Sequence, residues 1–339
     1  MNPLLRARRA QSLARRQRLV AGVRLGLAAT LFAAGFAQGQ TTYPSRPVSI
    51  VIGYPPGGSV DAVGRAVSEG LGKHLAATTV VENVGGAAGA IGVQRVVNSA
   101  PDGQTLIFGS SSEFVATQLI NPAQKYDAAK DLVPVGYVGA IPLVLVASAQ
   151  SGVKTLDQFV SSVKANPGKY SYGTSGIGSM LHFSGELVKK QAGLSITHIP
   201  YRGAGNIGSD LAGGSIEFAF LGPGAAKPFI DGGRIVPIAV TSAQRIALLP
   251  SIPALGEHPA LKGYDLVAWY ALMAPRKTPP DIVAKLQSAL KQTLGEPALR
   301  QRLEQIGVVV GRGDENLAQI MAKDAGQYRR IVDFAGMRQ

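Results

Sequence analysis

From Pro47 onward the chain alternates between short runs of β-branched and aliphatic residues and segments whose apolar positions recur at helical spacing, with glycine-marked turns between them. Val48–Ile52 reads as a buried strand, and Ala62, Ala66, Leu71 and Leu75 give one apolar face to a helix over 61–75. Runs at 79–82 and 105–108 read as further strands. This alternation predicts βαβ units and a mostly parallel sheet. A second series of the same kind begins with the apolar run 142–147. It continues with a helix over Leu156–Ala165, a strand at 170–172, a helix over 179–192, a strand at 197–199, a helix over 206–212, and strands at 216–221 and 235–241. The tail reads helix, helix, strand, helix. Thr278-Pro-Pro-Asp281 starts the first tail helix with Thr278 as its cap, and Asp314 opens the last, whose stripe is Leu317, Ile320, Met321, Tyr328, Ile331 and Val332. The pattern as a whole predicts two α/β domains, one from 42–142 plus 243–339 and one from 143–242.

The first forty residues follow another rule. Seven arginines and no acid precede residue 38, and an apolar run over 25–36 follows them. A cationic segment, a short apolar run and the small residues Gly35, Ala37 and Gly39 form an export signal, with cleavage after Ala37 or after Gly39 and localisation in the periplasm. The Arg15-Arg16 pair leaves both the Sec and the twin-arginine route open. The apolar run is too short for the roughly 20 residues of a spanning helix. Removing 1–37 lowers the formal net charge from +13 to +6. What remains suits a small anionic ligand, and it carries no Lys/Arg stripe with interleaved aromatics, so no nucleic-acid partner is expected. The absence of cysteine excludes thiol catalysis, Cys-based zinc sites and a lipid-modified N-terminal Cys.

Candidate chemistry concentrates at two strand–helix junctions. In 53–61, Gly57 and Gly58 permit close backbone approach, Ser59 can cap a helix whose free amides and dipole favour an anion, and Asp61 falls in the first turn. The glycine spacing approaches a Walker A loop, but Ser59 stands where the lysine belongs, so nucleotide binding loses its charge contact. The second junction, 172–182, carries Ser175, Gly176, Gly178, Ser179 and His182 at the matching place in the second unit. Two anion-ready helix starts, one per domain, are what a cleft between domains needs. Ser110 and Ser112 follow the strand at 105–108, at a carboxyl end where open α/β sheets hold ligands. His182 and Glu186 stand at i, i+4, yet none of the four histidines forms HxxxH or HExxH, so no metal is expected. Gly173-Thr-Ser-Gly-Ile177 lacks the last glycine of a nucleophile elbow, and Gly85-Gly-Ala-Ala-Gly89 is no dinucleotide fingerprint, so neither an enzyme nor a cofactor is expected. Trp269 and Tyr270 suit a core as well as a ligand-stacking role.

Several segments in one order carry a family resemblance: Tyr43-Pro-Ser-Arg-Pro47, Pro55-Pro-Gly-Gly-Ser-Val-Asp61, Val80-Val-Glu-Asn83, Ala100-Pro-Asp-Gly103, Tyr126-Asp127 with Lys130-Asp131, Ser175-Gly-Ile-Gly-Ser179 with His182, His198-Ile-Pro-Tyr-Arg-Gly203, Asp210-Leu-Ala-Gly-Gly214 and Ala274-Pro275. Across nearly the whole mature chain the sequence resembles the substrate-binding proteins of tripartite tricarboxylate transporters, the Bug type. The resemblance implies a type II periplasmic-binding-protein fold with a hinge and an interdomain cleft, a small organic carboxylate as ligand and integral-membrane permease subunits as partners; the chain is expected to be a monomer. Carried onto this chain, it implies ligand contacts from Tyr54, Pro56, Gly57, Gly58, Ser59 and Asp61 in the first loop and from Ser175, Gly176, Gly178, Ser179 and His182 in the second. Tyr201 and Gly203 stand near the cleft, with Ser110 and Ser112 adding contacts. The sequence departs from the family at Val84-Gly85, where Arg-Pro is usual, and at Ala271, where Gly is common, and both concern the shape of the cleft wall. Two competing readings use the same residues: a ligand sensor for a membrane kinase, and an exported enzyme built on His182, Glu186 and Ser179.

Overall fold

The computed structural model describes residues 43–121, 124–202, 204–313 and 315–337. Arg46–Gln339 forms one compact unit, which contains all the elements of the fold. The proposed export signal at 1–37 lies outside the described residues.

The chain begins with β1 (Val48–Ile52), α1 (Ser59–Leu75), β2 (Thr79–Asn83), α2 (Ala90–Val97) and β3 (Thr105–Ser110), followed by a π-helical turn at Ser112–Ala116. β4 (Leu132–Pro142) runs almost directly into β5 (Val144–Ser148). Then come α3 (Leu156–Ala165), β6 (Ser171–Thr174), α4 (Met180–Ala192), β7 (Thr197–Pro200), α5 (Ala204–Gly213), β8 (Phe218–Leu221), α6 (Pro223–Asp231) and β9 (Ile235–Val240). β10 (Val267–Pro275), α7 (Pro280–Gly295), α8 (Pro297–Gln305), β11 (Val309–Val310) and α9 (Leu317–Ala335) complete it.

Two sheets result, in the orders β11-β4-β10-β3-β1-β2 and β7-β6-β8-β5-β9. Both are mixed. β1 pairs in parallel with β2 and β3, but β10 runs antiparallel to β3 and β4, and β11 antiparallel to β4. In the second sheet β6 is parallel to β7 and β8, whereas β5 is antiparallel to β8 and β9. The expectation of mostly parallel sheets is corrected here. β5 reaches its sheet without a crossover helix, and β10 returns from the other sheet, so neither is bound to the direction a βαβ unit imposes.

Each sheet has its own core. Val48, Ile50, Val51 and Ile52 of β1 are at most 1% exposed, which explains why this strand reads as a run and not as an alternation. The second core joins β5, α5, β8, α6 and β9 through Val144, Val146, Ile207, Leu211, Leu221, Ala226 and Ile235. A fully buried aliphatic side chain contributes ~1.5–3 kcal/mol. The apolar run 142–147 is therefore not one strand: it ends one sheet at Pro142 and opens the other at Val144, with Leu143 in the crossing. At that crossing Leu143 N–H donates to the Thr241 hydroxyl (2.8 Å), and Thr241 N–H donates back to the Leu143 carbonyl (2.9 Å). Thr241 is fully buried, and its carbonyl also accepts from Leu266 N–H, so it pins the outgoing and returning chains together.

Helix starts shift slightly from expectation. Pro279, not Thr278, precedes α7, because the Thr278 hydroxyl donates to the Pro275 carbonyl. Asn316 caps α9 through Gln319 N–H, and Asp314 lies outside the described residues.

Candidate functional site

Residues just beyond the carboxyl ends of β1, β3, β6 and β8 line one small chamber, where a topology of this kind places ligands. Its volume is about 50 Å³. Tyr54, Gly58, Ser59, Val60, Ser110, Ser112, Ala268 and Tyr270 come from the first sheet's side, Ser175, Met180, Leu181 and Gly222 from the second, and Leu143 from the crossing. No charged side chain lines it among the described residues. The two sides touch: Met180 N–H at the start of α4 donates to the Ser112 hydroxyl (2.9 Å), and Gly222 packs so close to Ser59 that a Cβ there would lie 2.0 Å from Ser59 Oγ.

An outer cavity of about 330 Å³ shares Tyr54 and Ser175 with the chamber. Its walls include Gly176, Tyr201, Arg202, Thr117 and the loop 86–89. In that loop Ala87 and Ala88 hold left-handed backbone (φ 48° and 50°), a conformation costly for any residue with a Cβ and concentrated at functional sites. The departure from the family at Val84-Gly85 leads directly into this wall, where Gly85 lies against Pro55.

The α1 wall keeps unsatisfied donors. Gly58 precedes the helix in extended conformation, and no side chain caps it. Ser59 and Val60 N–H find no acceptor among the described residues, as expected of first-turn amides, and the Ser59 hydroxyl is buried near the Tyr270 hydroxyl without a hydrogen bond of ordinary geometry. Asp61 behaves differently from the expected ligand contact. Its carboxylate accepts from Gly57 N–H (3.1 Å), Arg65 Nε (3.0 Å) and Asn83 Nδ2 (2.8 Å). Burial raises its pKa, but the bonds from Arg65, Asn83 and Gly57 outweigh burial and hold it below the usual carboxylate value. Asp61 thus braces the loop and consumes the Gly57 amide. Pro56 and Gly57 are exposed and line neither cavity.

The α4 wall is largely satisfied internally, against the expectation that its loop offers its amides and hydroxyls. The Ser179 hydroxyl donates to the Gly176 carbonyl (2.8 Å) and accepts from His182 N–H (3.3 Å). Gly178 N–H donates to His182 Nδ1 (3.2 Å), so the imidazole holds the loop from below. His182 stacks on His198 at 4.0 Å, and His198 Nε2 meets the Thr174 hydroxyl at 2.6 Å. Burial above all pushes the two imidazoles down, to about 3 for His182 and about 4 for His198. Both are neutral at ordinary pH, which lets His182 accept from Gly178. Glu186 is taken up by the Tyr172 hydroxyl (2.6 Å) and Lys189 (2.8 Å) and stands 3.7 Å from His182 Nε2. Gly178, Ser179 and His182 therefore shape the loop from outside the chamber, leaving Ser175, Met180 and Leu181 to line it. Gly203 lies outside the described residues, and the Tyr201 hydroxyl donates to Asp210 (2.8 Å).

Sequence reasoning missed Gly222, Leu143 and Glu113. Gly222 follows a third strand and precedes Pro223, a helix-start signature equal to the other two. Tyr270 lines the chamber, whereas Trp269 is core and donates its indole N–H to Asp324. Glu113 lies beneath the chamber, fully buried. No cluster of three or more His, Cys, Asp or Glu that could hold a metal occurs among the described residues.

Two mixed α/β sheets joined at paired crossing strands, with a hydroxyl-lined chamber between their loops, define a periplasmic-binding-protein fold. The comparisons agree. The solved periplasmic binding protein BugD superposes with a TM-score of 0.82 at 29% identity, over 87% of this chain and 99% of that one. An R. palustris protein solved with adipate gives 0.83 at 29% identity, over 87% and 98%. Protein BugT of Bordetella pertussis is 36% identical over 262 residues, 76% of this chain and 79% of that protein. The model of the tripartite tricarboxylate transporter family receptor matches residues 63–337, and the chain belongs to that family. Its relatives are binding proteins, not enzymes, which removes the reading built on His182, Glu186 and Ser179. No helix among the described residues is long and apolar enough to cross a membrane.

Proposed function

We propose that this protein captures a small organic carboxylate in the periplasm, as a monomer freed of residues 1–37, and delivers it to the integral-membrane permease of a tripartite tricarboxylate-type transporter. The observation that carries this reading is the Ser59 hydroxyl, buried near the Tyr270 hydroxyl but without a hydrogen bond of ordinary geometry, beside the acceptorless amides of Ser59 and Val60 in a chamber without a cation. A carboxylate oxygen satisfies such donors; the dipole contributes only ~0.3–1 kcal/mol per helix end, so Ser59, Val60, Ser175 and Leu181 must act together. The inner chamber suits a carboxylate head, and the outer cavity with Arg202 at its rim suits the remainder of the molecule. The protein solved with adipate supports this class of ligand. The two lobes are then 42–142 plus 243–339 and 143–242, divided where Leu143 and Thr241 bond to each other.

Thermal shift of the mature chain against mono-, di- and tricarboxylates tests the reading. A ligand at about 100 times its Kd adds about 2.7 kcal/mol. Ser59→Ala does not lower the ligand-free melting point, because no hydrogen bond of ordinary geometry is lost with the hydroxyl, and weakens binding roughly tenfold or more, as loss of one hydrogen bond to a charged group, ~1.5–3 kcal/mol, does. Silence across the panel, or Ser59→Ala binding as the parent does, refutes it.

A further inference from the structure

Glu113 is the one acid that the site buries completely, and nothing in the chamber's role so far accounts for it. It sits in the π-helical turn Ser112–Ala116, a distortion of helical geometry that is frequent at functional sites. One carboxyl oxygen accepts from Ser110 N–H (2.8 Å); the other accepts from the Ser110 hydroxyl (2.6 Å) and faces the Tyr54 hydroxyl at 3.3 Å. Ser110 and Tyr54 both line the chamber, so the carboxyl lies directly behind two of its walls. The fit is tight: a Cβ at Gly109 would lie 2.5 Å from Glu113 Oε1, and one at Gly89 would lie 2.9 Å from its carboxyl carbon. The titratable groups facing it are the phenols of Tyr54 after β1, Tyr126 before β4 and Tyr270 on β10. No cation is bonded to it among the described residues. Its charge is therefore uncompensated, and burial above all pushes its pKa up to about 7.

We propose that Glu113 is a positioning residue that couples anion capture in the chamber to the uptake of one proton. A hydroxyl has a single proton to give. While Glu113 is ionised, Ser110 spends its proton on the carboxylate and has only its remaining lone pair to offer the chamber, where it and the nearby charge repel an anion. Once Glu113 is protonated, its own O–H can satisfy a neighbouring hydroxyl oxygen, and the Ser110 proton is released to the ligand. Ser112 N–H donates to Ser110 Oγ (3.2 Å), and the Ser112 hydroxyl accepts from Met180 N–H, so the bonded chain continues to the opposite wall. The proton is taken from solvent and is returned when the anion leaves. Such a receptor binds its ligand most tightly on the acidic side of neutrality.

This inference rests on the reading of the chamber as a carboxylate site, and the test separates the two. Acetate, which probes the inner chamber alone, and adipate are titrated into the parent protein and Glu113→Gln between about pH 6 and about pH 8.5, a range in which both probes are ionised. The parent loses affinity above about pH 7 towards tenfold per pH unit, the limit for one linked proton, whereas Glu113→Gln is flat across the range. Calorimetry in two buffers of different ionisation enthalpy shows uptake of up to one proton by the parent and none by the variant. A purely structural role for Glu113 would lower affinity equally at every pH. Parallel pH profiles with measurable binding overturn the proton coupling alone. Failure of both probes to bind either protein at any pH overturns the carboxylate reading and the coupling with it. Carbon-13 NMR of labelled glutamate in the ligand-free parent needs neither ligand nor variant: one glutamate carboxyl is expected to titrate near pH 7, and titration of every glutamate in the ordinary carboxylate range overturns the proposal even if the variant folds poorly.

Discussion

Gly222→Ala inserts one methyl group between the two walls of the chamber. The backbone of Gly222 (φ −66°, ψ 144°) suits alanine, so the substitution carries no conformational penalty of its own. The obstacle is Ser59: the new Cβ would lie 2.0 Å from its Oγ and 2.9 Å from its Cβ. Rotation of the Ser59 side chain relieves the first contact, but the second involves an atom fixed to the first residue of α1. Ordinary carbon–carbon contact is ~3.5–4.0 Å, so the walls must part by about half an ångström or more. Overpacking of this size costs ~1–3 kcal/mol, and that cost falls on the arrangement in which the walls meet. At about 1.4 kcal/mol per tenfold, Gly222→Ala weakens ligand binding between roughly fivefold and a hundredfold. Calorimetric titration with the best carboxylate from the panel measures this, with circular dichroism confirming the fold. Ser59→Gly in the same protein removes both clashing atoms, so the double variant binds better than the sum of the two single losses allows. A Gly222→Ala protein that binds with the parent's affinity shows that Ser59 and Gly222 are apart when ligand is held, and the converging-wall argument fails.

Two further outcomes follow from buried groups. Thr241→Val removes the acceptor for Leu143 N–H at the crossing strands and leaves a buried donor unpaired, lowering unfolding free energy by ~1–3 kcal/mol in urea titration; an unchanged midpoint refutes the role assigned to that bond. His182 and His198 have folded pKa values of about 3 and about 4. Because these lie below the unfolded value of about 6.5, the unfolded chain binds more protons on acidification, and stability falls as pH drops below 6.5. Glu113, raised to about 7, acts with the opposite sign between about 7 and the unfolded carboxylate value of about 4.5, where its protonated form favours the fold. The parent therefore loses stability in that window at up to a net one proton, ~1.4 kcal/mol per pH unit, and Glu113→Gln at up to two. Urea midpoints at several pH values decide it, and equal slopes in the two proteins refute the assignment of Glu113 as a buried, protonated acid.

The parts of this fold that follow a local period were legible in the sequence. Val48–Ile52, α1, α3 and α4 stand within a few residues of where apolar spacing puts them, and Gly58 and Ser59 of the first glycine-serine junction and Ser175 of the second line one chamber. What was hidden depends on partners far along the chain. The reversal of β10 is fixed by pairing Tyr270 with Ser110, and no feature of either segment states its direction. The crossing at Leu143 leaves no mark because the flanking residues are apolar on both sides and remain buried in two different sheets. Glu113 reads as a solvated acid in a serine-rich turn; the apolar run 114–116 behind it was the only hint that the turn goes inward. The donors were legible as residue types, but which of them are spent was not. Gly57 and Gly178 look equivalent to Gly58 until Asp61 and His182 are seen to accept from them.

That division of donors has a consequence for how the site uses charge. An arginine in the chamber would bind a carboxylate strongly, but with the chamber empty it would be a desolvated cation, a state costing several kcal/mol. Amides and hydroxyls avoid this, since an unpaired neutral group costs ~1–3 kcal/mol and regains hydration when the walls separate. Each of these donors is weak alone, and they belong to opposite walls, with Ser59 and Val60 on one and Ser175 and Leu181 on the other. Under the carboxylate reading, an anion held by one wall has only part of its partners, and the free energy that favours closure comes from the second set. A ligand can shift the equilibrium between separated and apposed walls only by its differential affinity for the two. On the same reading, splitting the donors between the sheets makes nearly the whole binding energy differential, and the Leu143–Thr241 pairing is where we propose the axis of that closure.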